Sequence, residues 1–135
     1  MQDHTDLEHL RLLSIFHYVV GGIGVLFACI PLIHLGLGIA MVSGAFPEAG
    51  QGEPAPDWFG YIFVAMGGLF FLAGQAMAGL TIYSGVQIKN RKKYLLSFIM
   101  ACLLCLFIPF GTILGIFTII VLSRDSVKQL YDRSF

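Results

Sequence analysis

A few residues with reactive or ligating side chains stand inside otherwise apolar sequence. His17 and His34 come first, because an imidazole nitrogen can ligate haem iron or another metal. They are seventeen residues apart, roughly 25 Å along a helix, so they cannot share one metal. No later apolar stretch contains a histidine. A second haem ligand would have to be Met66, Met77 or Met100, and methionine in such surroundings is ordinarily packing. Structural or interfacial roles are therefore expected for both histidines, with haem-linked electron transfer kept as an alternative. Cys102 and Cys105 have the C-x-x-C spacing of a redox or metal pair. They lie in a leucine-rich run, with no second pair and no positive neighbour to hold a thiolate. With Cys29 they read as small apolar packing residues. Gln75 must find hydrogen-bond partners wherever it is buried, and a bond to a neighbouring helix is the expected one. Among these residues nothing pairs a nucleophile with a base, and no phosphate loop, metal-ligand cluster or nucleic-acid surface is present. The expectation is no catalytic residue, no metal and no cofactor.

The elements that carry these residues follow from where the charges are. The chain has 135 residues, 57% hydrophobic and 12% charged, with a mean hydropathy of +0.83 and no net charge. Soluble domains carry about 25% charged residues. None of the charges here falls within 12–47, 58–88 or 94–123, whereas a bilayer needs only about 20 apolar residues per helical span. An all-α integral membrane protein is predicted, as a single transmembrane domain over 1–135. Its partners would be the lipid bilayer and either other membrane subunits or further copies of itself.

The first apolar segment, about 12–43, is roughly twice as long as the core of a cleaved signal peptide, so it reads as a retained first span. Thr5-Asp6-Leu7-Glu8 fits a capping box and predicts a helix start near Asp6. The loop over 44–58 carries Glu48, Glu53 and Asp57 without a base, and its prolines and glycines break helix. A second span is predicted over about 59–88. The loop over 89–93 then holds half of all the basic residues. Basic loops are cytoplasmic, so the acidic loop is external and the N-terminus internal. Trp58, Phe59 and Tyr61 would mark the outer headgroup level and Tyr94 the inner one.

The third apolar stretch decides between three spans and four. As one helix, 94–122 would run to about 43 Å against a hydrocarbon core of about 30 Å, and Pro109 could merely kink it. A single span would also place Arg124, Lys128 and Arg133 outside, against the positive-inside bias. Small residues four apart stand on each side of Pro109: Ser97, Ala101 and Cys105, then Gly111 and Gly115. Such spacing lets two helix backbones approach closely. A helical hairpin with arms 94–108 and 111–122 is therefore preferred, giving a four-helix bundle; one kinked span is the alternative. The tail, 123–135, is expected to be a cytoplasmic amphipathic helix on the membrane surface. Its apolar face would comprise Val127, Leu130, Tyr131 and Phe135, with Arg124, Lys128 and Arg133 towards anionic headgroups and Asp125 capping its first turn.

Glycines supply the remaining pattern. Gly60, Gly67 and Gly74 recur every seven residues, and Gly36, Ala40 and Gly44 every four. One stripe is expected to pack within the chain and the other against a partner. No Asp, Glu, Lys or Arg lies inside a span, which disfavours ion-coupled transport.

From Ala78 onward the chain reads Ala-Gly-Leu-Thr-Ile-Tyr-Ser-Gly, a basic cluster, a leucine-rich run, and Ile-Pro-Phe-Gly-Thr-Ile-Leu-Gly-Ile-Phe-Thr-Ile-Ile-Val-Leu. This resembles a group of small, uncharacterised bacterial membrane proteins with a Pro-x-Gly-Thr-x-x-Gly turn in their last half. The likeness covers roughly the last 55 residues. It implies a four-helix hairpin bundle and carries no activity with it. The role expected from the sequence is a non-catalytic structural or accessory subunit of a bacterial inner-membrane assembly, with both termini cytoplasmic. A homo-oligomeric small pore lined by Gln75, Thr81, Ser84 and Gln87 is the alternative.

Overall fold

The computed structural model describes residues 2–45, 56–106 and 109–132. Among them every regular element is an α-helix: α1 (Gln2–Phe27), α2 (Pro31–Val42), α3 (Asp57–Asn90), α4 (Tyr94–Leu104), α5 (Phe110–Leu122) and α6 (Asp125–Asp132). Pro47, Glu48, Gly50, Gly52, Glu53 and Pro54 of the acidic loop, Ile108 of the Pro109 turn, and Arg133 and Phe135 of the tail lie outside the described residues. Two helical segments, His4–Val42 and Asp57–Asn90, are long and apolar enough to cross a membrane. Only 11% of the apolar window of each is buried.

The chain divides into two units, Met1–Ile23 with Met77–Phe135, and Gly24–Ala76. We call them the terminal unit and the central unit. In the central unit the first apolar segment is two helices, not one. Pro31 has no N–H to offer the carbonyl four residues back. The chain tightens there, with Cys29 N–H donating to Leu26 O at 3.1 Å and Ile30 N–H to Phe27 O at 3.0 Å. Val25 O thereby loses its i+4 donor. The described residues buried in this unit are Ala28, Gly38, Gly60 and Gly67. Among the described residues of this unit nothing larger than alanine is buried.

The terminal unit has a core of large side chains: Leu10 and Leu13 of α1, Ile88 of α3, Leu104 of α4, Leu114, Val121 and Leu122 of α5, and Val127, Leu130 and Tyr131 of α6. Helix α1 begins at Gln2, upstream of the Asp6 start predicted from the capping box, so Thr5 lies inside the helix. Burial explains the extension. Asp6 is enclosed and pairs with Arg124, Nη1 to Oδ1, at 3.4 Å, which holds the first turns against the far end of the chain.

The third apolar stretch turns back on itself in this unit. Tyr94 Oη, at the start of α4, donates to Leu122 O, at the end of α5, at 2.9 Å. Near the turn Thr112 Oγ1 donates to Cys105 O at 3.0 Å. Helices α4 and α5 are therefore antiparallel neighbours, of 11 and 13 residues. Helix α3 ends just before them in a Schellman motif: Lys92 N–H reaches Gln87 O (3.0 Å) and Arg91 N–H reaches Ile88 O (3.2 Å). Arg91, with φ of 54°, occupies the left-handed position where glycine is usual.

Helix α6 has the amphipathic face read from the sequence, but that face is turned into the protein. Val127, Leu130 and Tyr131 are buried in the core, so they are not available to lipid as expected. Arg124 pairs with Asp6 at 3.4 Å but stays exposed, and Lys128 pairs with Asp125 at 3.3 Å.

Candidate functional site

In the central unit, the helices meet along glycine. A methyl group on Gly67 would lie 2.6 Å from Leu35 N and 2.9 Å from Pro31 O. On Gly60 it would lie 2.8 Å from Val42 Cγ2, and on Gly74 2.8 Å from Ala28 Cβ. The seven-residue stripe of α3 is thus a seam within the chain. Its opposite number is Gly38, where a methyl would come within 2.7 Å of Val64 N. The predicted ladder behaves otherwise: Gly36 and Gly44 have nothing within 4 Å, and Ala40 is half-buried. Gly44 has a φ of +67° at the end of α2.

Gln75 stands in this unit beside the helix break. Its Nε2 donates to Val25 O at 3.3 Å and lies 3.6 Å from Cys29 Sγ. That carbonyl is the one released when the chain tightened ahead of Pro31. Break and glutamine are therefore complementary, one freeing an acceptor and the other supplying the donor. Cys29 Sγ is also within 3.4 Å of Val25 O. His34 is exposed and stacks on Phe63, with ring centroids 6.0 Å apart.

The terminal unit buries polar groups as well as apolar ones. Ser14, His17, Thr81, Ser84, Ser97 and Thr118 are all buried, from four different helices. Ser14 Oγ donates to Gly85 O across to α3 at 2.8 Å. Thr81 and Thr118 return their hydroxyls to Met77 O and Leu114 O on their own helices. His17 lies 3.0 Å through Nδ1 from Leu13 O. The δ-protonated tautomer donates there and leaves Nε2 as an acceptor, which has no hydrogen-bond partner among the described residues. Glycine again sets the approach: a methyl on Gly85 would meet His17 Cβ at 2.9 Å, and one on Gly115 would meet Ala101 O at 2.5 Å and Cys105 Sγ at 2.6 Å. Ser97, Ala101 and Gly111 are buried, Cys105 is half-buried and Cys102 is exposed. All three cysteines are free. Burial pushes the Tyr131 phenol up to about 12; the Ser97 hydroxyl opposes the rise and neighbouring Tyr94 adds to it. Their rings meet edge to face at 5.5 Å.

The chain matches no protein-family model, no curated protein and no solved structure. Its own geometry therefore carries the functional argument. Among the described residues no group of three or more His, Cys, Asp or Glu is placed to hold a metal ion. Gln75 serves the helix break, and Thr81, Ser84 and Gln87 are buried inside the terminal unit. Sequence reasoning missed two contributors. The role of Pro31 was signalled by its missing N–H inside an apolar run. The Asp6–Arg124 pair had no local signal.

Proposed function

We propose that this chain is a non-catalytic structural or accessory subunit of a bacterial inner-membrane assembly. The observation that carries the reading is what the central unit leaves uncovered. Its own seam is closed by Gly38, Gly60, Gly67 and Gly74, while Gly36 on α2 meets nothing and large apolar side chains such as Leu26, Phe27, Ile33, Leu69 and Phe70 are exposed. Lipid covers such large side chains well. A small-residue face is instead suited to close approach by another helix.

The architecture that goes with this reading is a four-helix membrane bundle. The α1–α2 segment and α3 would cross fully. At 1.5 Å per residue α4 and α5 are about 16 and 20 Å long, each short of a core of about 30 Å. They would enter from the cytoplasmic side and return to it, leaving both termini inside with the basic 89–93 loop. This agrees with the resemblance to small four-helix bacterial membrane proteins.

Purification of the tagged full chain from native membranes should recover a partner at fixed stoichiometry, and Gly36→Leu should lose that partner while the chain stays folded. Recovery of nothing but a lone monomer from gently solubilised membranes would overturn the proposal. For the topology, a cysteine placed at Gly52 should label from outside intact cells and one at Asn90 should not.

A further inference from the structure

Helices α1 and α5 of the terminal unit enclose an open groove of about 330 Å³. Its sides are Leu13, Phe16 and Val20 of α1 and Leu114, Phe117 and Val121 of α5, with His9 at one end. Leu13, Leu114 and Val121 are buried and form its floor, while Phe16 and Phe117 stand exposed as its rims. From His9 to Val20 the groove follows α1 for about 16 Å. That is about the depth of one leaflet, half of a hydrocarbon core of about 30 Å.

The ends of the groove are not alike. The Val20 end is apolar. At the other end His9 Nδ1 lies 3.4 Å from Arg124 Nη1, which is also 3.4 Å from Asp6 Oδ1. The pair is asymmetric in exposure, with 45% of the Arg124 side chain accessible against 6% of Asp6. The carboxylate is turned inward and the guanidinium outward. An arginine has five N–H donors in a planar fork, and one nitrogen engaged at 3.4 Å leaves most of them open to a phosphate. An apolar trough one leaflet deep, with a guanidinium at its mouth, matches a phospholipid: chain below, phosphate above.

We infer that the groove between α1 and α5 is a binding site for one anionic phospholipid, its acyl chain along Leu13, Phe16 and Leu114 and its phosphate on Arg124. This rests on the membrane reading above, because the mouth must lie at the cytoplasmic headgroup level. Anionic lipid is enriched there and attracts basic residues. The lipid would cover Leu13, Leu114 and Val121 on this side of the terminal core.

The test is native mass spectrometry of the purified full chain after incubation with equal amounts of dioleoyl phosphatidylglycerol and dioleoyl phosphatidylcholine. One phosphatidylglycerol should be retained per chain, with a preference of about fivefold, the strength of a single basic residue at an anionic surface. Ile113→Trp, on the exposed wall of the groove, should abolish retention of either lipid without lowering the unfolding temperature. Asp6→Asn with Arg124→Gln removes the ion pair as a unit, so no carboxylate is left buried alone; it should keep a bound lipid and lose the preference. Equal retention of the two lipids by the unmodified chain would overturn the proposal, as would undiminished binding to the Ile113→Trp variant. Displacement of the lipid by millimolar inorganic phosphate would also overturn it, since the acyl chain would then contribute nothing. Cysteine labelling at Gly52 and Asn90 is scored separately, so a failed groove with the expected topology is distinguishable from an inverted chain.

Discussion

The two units of this chain solve the same packing problem by opposite means. In the central unit the buried described residues are glycine and alanine, and every described leucine, isoleucine and phenylalanine is partly or wholly open. In the terminal unit leucine, isoleucine, valine, tyrosine and histidine are enclosed. The first arrangement gains from backbones lying close together, and it makes sense where apolar solvent already surrounds the helices. The second gains from removing large side chains from solvent, as in a water-soluble domain. The difference is one of what is enclosed, since both units leave large apolar side chains exposed, Leu69 and Phe70 in one and Leu95 and Phe117 in the other.

The largest effect should come from opening the enclosed core. Leu122 is fully buried, and Leu122→Ala should cost about 2–5 kcal/mol. Hydrogen exchange should rise first in α6, with the amides of α2 unchanged; parallel loss in both would mean that the units are not separable.

Alkali should break the same unit. Folding raises the Tyr131 phenol from 10.0 to about 12, so the folded state favours the neutral form. Its contribution is complete below pH 10 and falls as the pH rises towards 12, because the unfolded chain releases the proton first. The loss should approach about 2–3 kcal/mol, and Tyr131→Phe should flatten this part of the pH profile of the unfolding midpoint.

The glycine seam answers to added volume. Gly67→Val has only backbone to push against, at Leu35 N and Pro31 O, and should cost about 1–3 kcal/mol. The loss of helicity on heating measures it. Gln75→Leu leaves Val25 O without its cross-helix donor and should cost about 0.6–2 kcal/mol by the same measurement. Smallest of all is Gly36→Leu, within about 0.5 kcal/mol of the parent, since nothing lies within 4 Å of that position.

Much of this contrast is legible in the sequence. The charge-free runs mark the apolar helices, and the seven-residue spacing of Gly60, Gly67 and Gly74 marks a seam. The facing glycine is harder to read. Gly36 and Gly38 are two residues apart, about 200° around a helix, and the break before Pro31 resets the phase from which any count begins. For α6 the periodicity identifies Val127, Leu130 and Tyr131 as one face, yet a period reports only which side is apolar. Whether lipid or protein covers it depends on α1 and α5. Of the buried polar residues, Ser14 and Thr118 carry no sequence signal, since hydroxyls that bond to backbone are common on either side of a helix.

The Asp6–Arg124 pair joins residues 118 positions apart, and this bears on how the chain is made. A polypeptide leaves the ribosome N-terminus first, so α1 emerges long before the arginine that completes its first turns. Until α5 and α6 follow, Leu10 and Leu13 have no Val121, Val127 or Leu130 to cover them. Non-local closure of this kind is slow relative to helix formation. On this order of synthesis α1 forms as a helix first, and its buried face is covered only once α5 and α6 have emerged.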